Sequence, residues 1–527
     1  MAVSPLTGSD GPLKITIRCD GEALPEFVQL ISIKTSHRIN RIASATIIVA
    51  DGDMPNATFP VSDMDCFQPG ARVEILAGYE ANLAPIFSGV VVRHGVRISG
   101  DNDARLVIEC RDPAHAMTAG CNSAHYAGQA DHQVIAALAA RAGLRAIVEP
   151  TAIVHEALVQ YRLSDWDFML ARAAANGMLV TVDGGAVTVA APAPDAAPVL
   201  SVTYGADLLA FDAELQAPSP CDSDAPGACI RGRASFQGSA LARPGVVVSL
   251  SGFCRRFNGN VVLSEVVHLL ADGNWTSEIV FGLAAERLAE AGQPQLQARD
   301  ATAGGAGLHS GVVLQRDADP QGQCRILVAL PDLEGGGGLW ARLSTFYGSA
   351  GAGAFFIPEV GDEVILGFFD QDPARPVILG SLYDSAHLPP FQPGADNHLK
   401  ALVTRSRLTM AFDDAGKEIT LTTPDGSKVV LSDATRSILL LDQHGNRVEL
   451  GPHGILLDSR GDITVNAVGK VTIAGAHVAV AARMDVAVTG LNIEQHAAGA
   501  FAATGGASAA LSAAGQTTVK GAMVLIN

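Results

Sequence analysis

The last third of the chain, from about Leu402 to Asn527, alternates apolar and polar positions in very short runs. Val429-Val430-Leu431, Ile438-Leu439-Leu440-Leu441, Val448-Glu449-Leu450, Ile455-Leu456-Leu457, Ile463-Thr464-Val465, Val471-Thr472-Ile473, Val478-Ala479-Val480 and Val486-Ala487-Val488 succeed one another. From Ile455 onward their starts lie seven or eight residues apart, with turn residues such as Gly445-Asn446, Pro452-His453-Gly454, Arg460-Gly461, Gly469 and Gly475 between runs. Alternation with a period of two predicts strands that bury one side chain in two, and strands this short make no core alone. Their regular spacing predicts a solenoid or β-prism that closes by stacking or by pairing with other copies of itself. From Ala497 to Thr518 the chain is almost entirely Ala, Gly, Ser and Thr, and it ends Met523-Val524-Leu525-Ile526-Asn527. Small residues followed by an apolar terminus fit a narrowing rod better than a disordered tail.

Upstream the pattern is also mostly β. Leu13 to Arg18, Ala45 to Val49, Arg72 to Leu76, Ile86 to Val92 and Ala104 to Glu109 read as strands. Two helices follow. His132 to Ala142 carries Val134, Ile135, Leu138 and Ala139 on one face and stops at Gly143. Ser164 to Asn176 has an N-cap serine, acidic residues in its first turn, a core face of Phe168, Leu170 and Ala171, and Gly177 at its end. Strands resume at Leu179 to Val182 and Ala186 to Ala190, and a β-rich stretch covers about 213 to 283. Residues 284 to 306 read as a short helix and a linker, and about 307 to 385 as five or so strands of a small barrel such as an OB-fold. The predicted divisions are 1–290, a linker at 291–306, the barrel at 307–385, a Pro-rich linker at 386–400, and the rod at 401–527.

Composition narrows the class. The chain has 527 residues, 48% hydrophobic but only 5% aromatic, with 55 glycines, which suits many strands and turns. A net charge of −18 argues against nucleic-acid binding or an anionic membrane surface. No stretch reaches the roughly 18 to 20 apolar residues of a membrane span, and Met1 to Pro12 lacks the pattern of a Sec signal. The expected setting is folding in a reducing cytoplasm, with any exit by another route. Eight scattered cysteines, none in the rod and none as C-x-x-C, suit free thiols, with Cys221–Cys229 a lesser option for a disulfide.

Chemistry-bearing patterns are sparse. Glu359, Asp362 and Glu363 are close in sequence but read as a turn. The pairs Asp63/Asp65, Asp165/Asp167, Asp317/Asp319 and Asp370/Asp372 lack the further ligands and central glycine of a calcium loop. His477 and His496 are isolated, and there is no H-x-H, H-E-x-x-H, G-x-S-x-G, P-loop or Rossmann pattern. No catalytic residue, cofactor or metal is assigned.

Several segments together resemble the VgrG/phage tail-spike family of contractile injection systems. Phe356-Ile357-Pro358-Glu359-Val360-Gly361-Asp362-Glu363-Val364, then Asp370-Gln371-Asp372-Pro373, then Gly380-Ser381-Leu382-Tyr383, is similar to the family's barrel signature, with Gln371 where glycine is usual. Gly311-Val312-Val313 and Leu339-Trp340-Ala341-Arg342 also match. Ser164-Asp165-Trp166-Asp167-Phe168-Met169-Leu170 resembles its D-W-x-F-L helix, and Ile86-Phe87-Ser88-Gly89-Val90-Val91 its F-x-G-x-V strand. The resemblance implies a mainly β fold: a hub of two barrel-like halves per chain, an OB-fold, and a trimeric β-prism or β-helix needle. It implies a homotrimeric, non-enzymatic central spike that joins a hexameric Hcp-like tube and the baseplate to a piercing tip. Met523, Val524, Leu525 and Ile526 would form a blunt end able to take a PAAR-like tip protein, with toxin cargo as a further partner. Ile39-Asn40-Arg41-Ile42-Ala43-Ser44-Ala45-Thr46 and Phe59-Pro60-Val61 resemble spikes of extracellular phage-tail-like particles more than those of type VI secretion. The alternatives are a trimeric tail-fibre or adhesin module, which would want an aromatic receptor knob, and an envelope-degrading hydrolase, which would want a catalytic dyad.

Overall fold

Alternating apolar residues build a large sheet in the first half of the chain. The computed structural model describes residues 2–7, 11–79, 82–100, 103–216, 229–282, 307–331, 333 and 337–526. The predicted helix and linker at 284 to 306 and the Cys221–Cys229 pairing fall outside the described residues. Two compact units are present, Met1–Pro389 and Pro390–Asn527.

In the first unit thirteen strands form one sheet. Its main path runs Leu208–Gln216, Cys229–Gln237, Asn274–Phe281, Gly259–Ala271, Leu30–Arg38, Ser44–Ala50, Ala104–Arg111, Ala84–Ile98, Arg72–Tyr79, Leu13–Cys19 and Glu22–Ala23. Val247–Ser251 pairs off this path with Gly259–Ala271 and carries Leu200–Thr203 alongside it. The sheet serves two separate cores. One gathers Ile33, Ile47, Ile75, Phe87 and Ile108 with both helices; the other gathers Leu200, Val248, Phe236, Leu263 and Phe281.

Helix α1 (Asp131–Arg141) buries Val134, Ile135, Leu138 and Ala139, the face its periodicity predicts. Helix α2 (Asp165–Ala175) is capped as expected: the Ser164 hydroxyl accepts the Asp167 N–H at 3.1 Å. Its core face differs from the sequence reading. Trp166, Phe168, Met169, Leu170 and Ala173 are buried, whereas Ala171 is exposed, because the stripe is centred one position round the helix.

Five strands, His309–Gln315, Ile326–Ala329, Leu339–Leu343, Pro376–Ser381 and Glu363–Phe368, close into a barrel in that order. Ala354 to Ile357 is not one of its strands; the strand pairing there is a short hairpin of Gly348–Ser349 with Ala352–Gly353. The barrel core includes two residues from far upstream, Val159 and Tyr161 on Val154–Leu163, packed with Val313, Ile326, Val328 and Leu366. The Tyr161 ring meets His309 edge-on at 5.2 Å, so the barrel shares its apolar core with the preceding region.

The second unit begins with a seven-stranded antiparallel meander from Leu399–Val403 to Gly454–Asp458. From Ser459 to Ile526 the chain is extended and forms no strand ladder with itself. The runs at Ile463, Val471, Val478 and Val486, read as strands from the sequence, are therefore not paired strands within one copy. A ladder needs a neighbour, and the chain supplies none there.

The large sheet also holds one buried imidazole, His268, and one half-buried one, His37. Burial first, then the charge of Arg243, lowers the His37 pKa to about 4; burial, then His37 and Arg243, lowers that of His268 to about 3. Asp183, paired with Arg243, is the nearby carboxylate. The unfolded chain therefore binds protons that the folded state refuses, so the stability these residues contribute is complete above about pH 6.5 and falls as pH drops toward 4. His115, also lowered by burial, acts in the same direction. The melting midpoint of the full chain, followed from pH 7 to 4.5, should fall steadily, and His268→Phe should flatten the slope; equal slopes in both proteins would remove the histidine account.

Candidate assembly surface

Register turns the meander into a two-faced sheet. Leu402, Met410, Leu421, Val429, Leu440, Val448 and Leu457 are successive cross-strand partners, so they form one unbroken row. A second row on the same face, two residues along each strand, is Phe412, Ile419, Leu431, Ile438, Leu450 and Ile455. The intervening positions point the other way and include Thr420, Lys428, Arg447, Glu449 and Asp458. Ten of the thirteen apolar side chains in the two rows remain between 37 and 73% exposed in a single copy. A contiguous apolar face of this size marks an interaction surface. At about 25 cal/mol per Å², finishing the burial of a half-exposed Leu or Ile gives about 1 kcal/mol, so the face holds on the order of 10 kcal/mol per copy.

The extended segment carries the same message through its backbone. It bends at Arg460-Gly461, Val468-Gly469, Ala476-His477, Arg483-Met484, Leu491, Ala498-Gly499, Gly506-Ala507, Ala514-Gly515 and Ala522-Met523. Between bends, Ile463/Val465, Val471/Ile473, Val478/Val480 and Val486/Val488 are exposed. Among the described residues from Asp462 to Ile526, no hydrogen bond is made to the chain's own atoms. Backbone N–H and C=O groups on both edges are thus open to neighbouring strands. Met523, Val524, Leu525 and Ile526 lie at the end of this segment, all exposed, Ile526 at 91%.

The acidic patterns of the sequence resolve into turns and caps. The Glu359 N–H donates to Asp362 Oδ2 at 2.8 Å, while Arg316 pairs with Glu359. Asp319 is clamped by Arg325 at 2.7 Å and Asp370 by Arg375 at 2.6 Å. Asp65 accepts from the Gln68 side chain, and Asp167 from the Ser164 hydroxyl. His477 and His496 are exposed and separate. Among the described residues no group of three or more His, Cys, Asp and Glu side chains is placed to hold a metal ion. Among the described residues no helix is long and apolar enough to cross a membrane.

Comparison with known proteins gives the architecture a family. The model described as the Alg8 N-terminal domain matches residues 9–225 and 223–272, half of the chain. The model of the type VI secretion system/phage-baseplate injector OB domain matches residues 309–383, the closed barrel. The type VI secretion system spike protein VgrG4b of Pseudomonas aeruginosa is 28% identical over 115 residues, 21% of this chain and 14% of that protein. VgrG1a of the same organism is 33% identical over 67 residues, 13% of this chain and 10% of that protein. The chain belongs to the VgrG and phage tail-spike family, with an Alg8-type N-terminal region. Its matches span only about a seventh or less of the length of these curated relatives. Among solved structures, the E. coli c3393 protein, described as a type VI secretion component similar to bacteriophage T4 tail proteins gp27 and gp5, aligns over 69% of this chain and 99% of its own. That alignment has 16% identity and a TM-score of 0.49.

In this member of the family the apolar rows were invisible as rows in the sequence, because register decides which apolar residues become neighbours. The first three strands of the meander, Leu399–Val403, Thr409–Asp413 and Glu418–Thr422, were not read as strands, although Gly416 and Pro424-Asp425-Gly426 mark turns around them. Placing Leu421→Asp and Leu440→Asp together on the apolar face should weaken self-association of the full chain at least about 1,000-fold, since each buried carboxylate costs several kcal/mol. Thr422→Asp, on the opposite face, should leave association intact in sedimentation. Equal behaviour of the two variants would mean that the face is not an interface.

Proposed function

We propose that the chain is the central spike of a contractile injection system and works as a homotrimer. The observation that carries this reading is the pairing of a largely apolar sheet face with a following segment whose backbone is open on both edges. Three copies can turn their apolar faces toward a common axis. Three is also the smallest number of strands that closes around an axis with every edge paired. A structure of this kind buries most of its stabilising contacts between chains. It therefore unfolds slowly, as a part that transmits contraction force must. The two cores of the large sheet, repeated in three copies, give six in all, a number compatible with docking onto a hexameric tube.

On this reading Met523 to Ile526 of three chains form an apolar end that a PAAR-like tip protein covers. Tube, baseplate and any toxin cargo attach elsewhere on the same trimer. The part is mechanical and not enzymatic; the family relatives are spike proteins. Light scattering should give the full chain three times its 54.4 kDa, and a chain ending at Pro390 should fall to one copy. A monomeric full-length protein would overturn the trimer and return the adhesin and hydrolase alternatives.

A further inference from the structure

The large sheet contains a polar patch that its structural role leaves unexplained. Register places Ala45, Thr35, His268, Ser277 and Phe236 side by side in one cross-strand row. Thr35, His268 and Ser277 are buried there, in a face otherwise built of residues such as Ile33, Val266, Leu270 and Ile279. His37 and Trp275 flank the row on the same face, two residues from Thr35 and Ser277. Three adjacent polar side chains in an apolar sheet cost stability unless each is satisfied.

They are not all satisfied. The Ser277 hydroxyl oxygen accepts the Ser239 N–H at 3.1 Å and lies 2.8 Å from His268 Nδ1. Where Ser277 donates its proton to His268 Nδ1, the other nitrogen, Nε2, is a donor. Thr35 Oγ1 and the Trp275 indole N–H are buried with no partner. Neither ring nitrogen of His37 has a hydrogen-bond partner among the described residues.

A cavity of about 210 Å³ opens against this patch. Its polar lining is His37, His268, Arg243, Thr181, Asp183 and Thr188; Ile86, Val182 and Val246 supply apolar wall. Arg243 pairs with Asp183 and donates to the Pro85 carbonyl at 2.9 Å, which leaves further guanidinium N–H groups free. The space is several times the roughly 30 Å³ share of one water. The guanidinium of Arg243 is the cation of this lining, and the carboxylate of Asp183 is already engaged by it, while each neutral imidazole can offer one N–H. A planar anion matches a guanidinium fork, and the apolar wall suits a short hydrocarbon stem.

We infer that this cavity binds a small aliphatic carboxylate, held by Arg243, His37 and His268 with its stem against Ile86, Val182 and Val246. The site lies in the half of the chain matched by the Alg8-type region. The test uses the full-length protein and sodium butyrate as probe, read by melting temperature and by equilibrium dialysis of labelled butyrate. Butyrate should raise the midpoint saturably in the millimolar range, whereas sodium chloride and butylammonium chloride at equal ionic strength should not. Arg243→Leu should weaken binding about tenfold or more. Thr188→Leu, which fills the cavity and keeps every charged donor, should do the same if Arg243→Leu fails to fold. The inference is overturned by an absence of saturable binding, by an equal effect of chloride, or by undiminished binding in both variants.

Discussion

A backbone cannot leave its hydrogen-bonding groups without partners and remain stiff. The segment from Asp462 to Ile526 makes no hydrogen bond to its own chain, yet it bends at intervals of seven or eight residues and leaves its valines and isoleucines exposed. Such a segment is incomplete by itself. Its N–H and C=O groups and its apolar side chains find partners together when further copies lie beside it, so hydrogen bonding and burial favour the same association. The meander just upstream forms its own ladder within a copy and leaves its apolar rows exposed.

This division of labour has a kinetic consequence. The meander can fold locally, since each strand pairs with the next and loop closure is short. In the proposed trimer the extended segment orders after chains meet, which places assembly after folding of the first unit and the meander. Once formed, the joined part has few contacts that open one chain at a time, and resistance to force follows from that. The closed barrel is tied back by Val159 and Tyr161, whose side chains sit in its core. A load that reaches the barrel is therefore carried through packed side chains as well as through the connecting chain.

Much of this organisation was legible in the sequence because periodicity reports burial. The helices at Asp131–Arg141 and Asp165–Ala175, the five-stranded barrel and the octad-like rhythm of the last third all follow from apolar spacing and turn residues. What escaped depends on partners distant in sequence. Leu30–Arg38 lies in the middle of the large sheet, but Thr35 and His37 occupy its inward face, so the alternation is blurred by polar residues that pair across strands. Ala171 was placed in the core because alanine is neutral to burial, and only packing decides between Ala171 and Ala173. Tyr161 gives no local hint that it belongs to a barrel beginning near residue 309. The two apolar rows of the meander depend on register, which no single strand encodes.

The most direct measurement is amide hydrogen exchange across residues 459–526 in the purified full-length protein. Pairing between copies requires strong protection in every interval between bends, comparable to that of the meander, and loss of that protection when the chains are dissociated. Rapid exchange throughout the segment, in a protein whose meander remains protected, would contradict the claim that its backbone is completed by neighbouring copies.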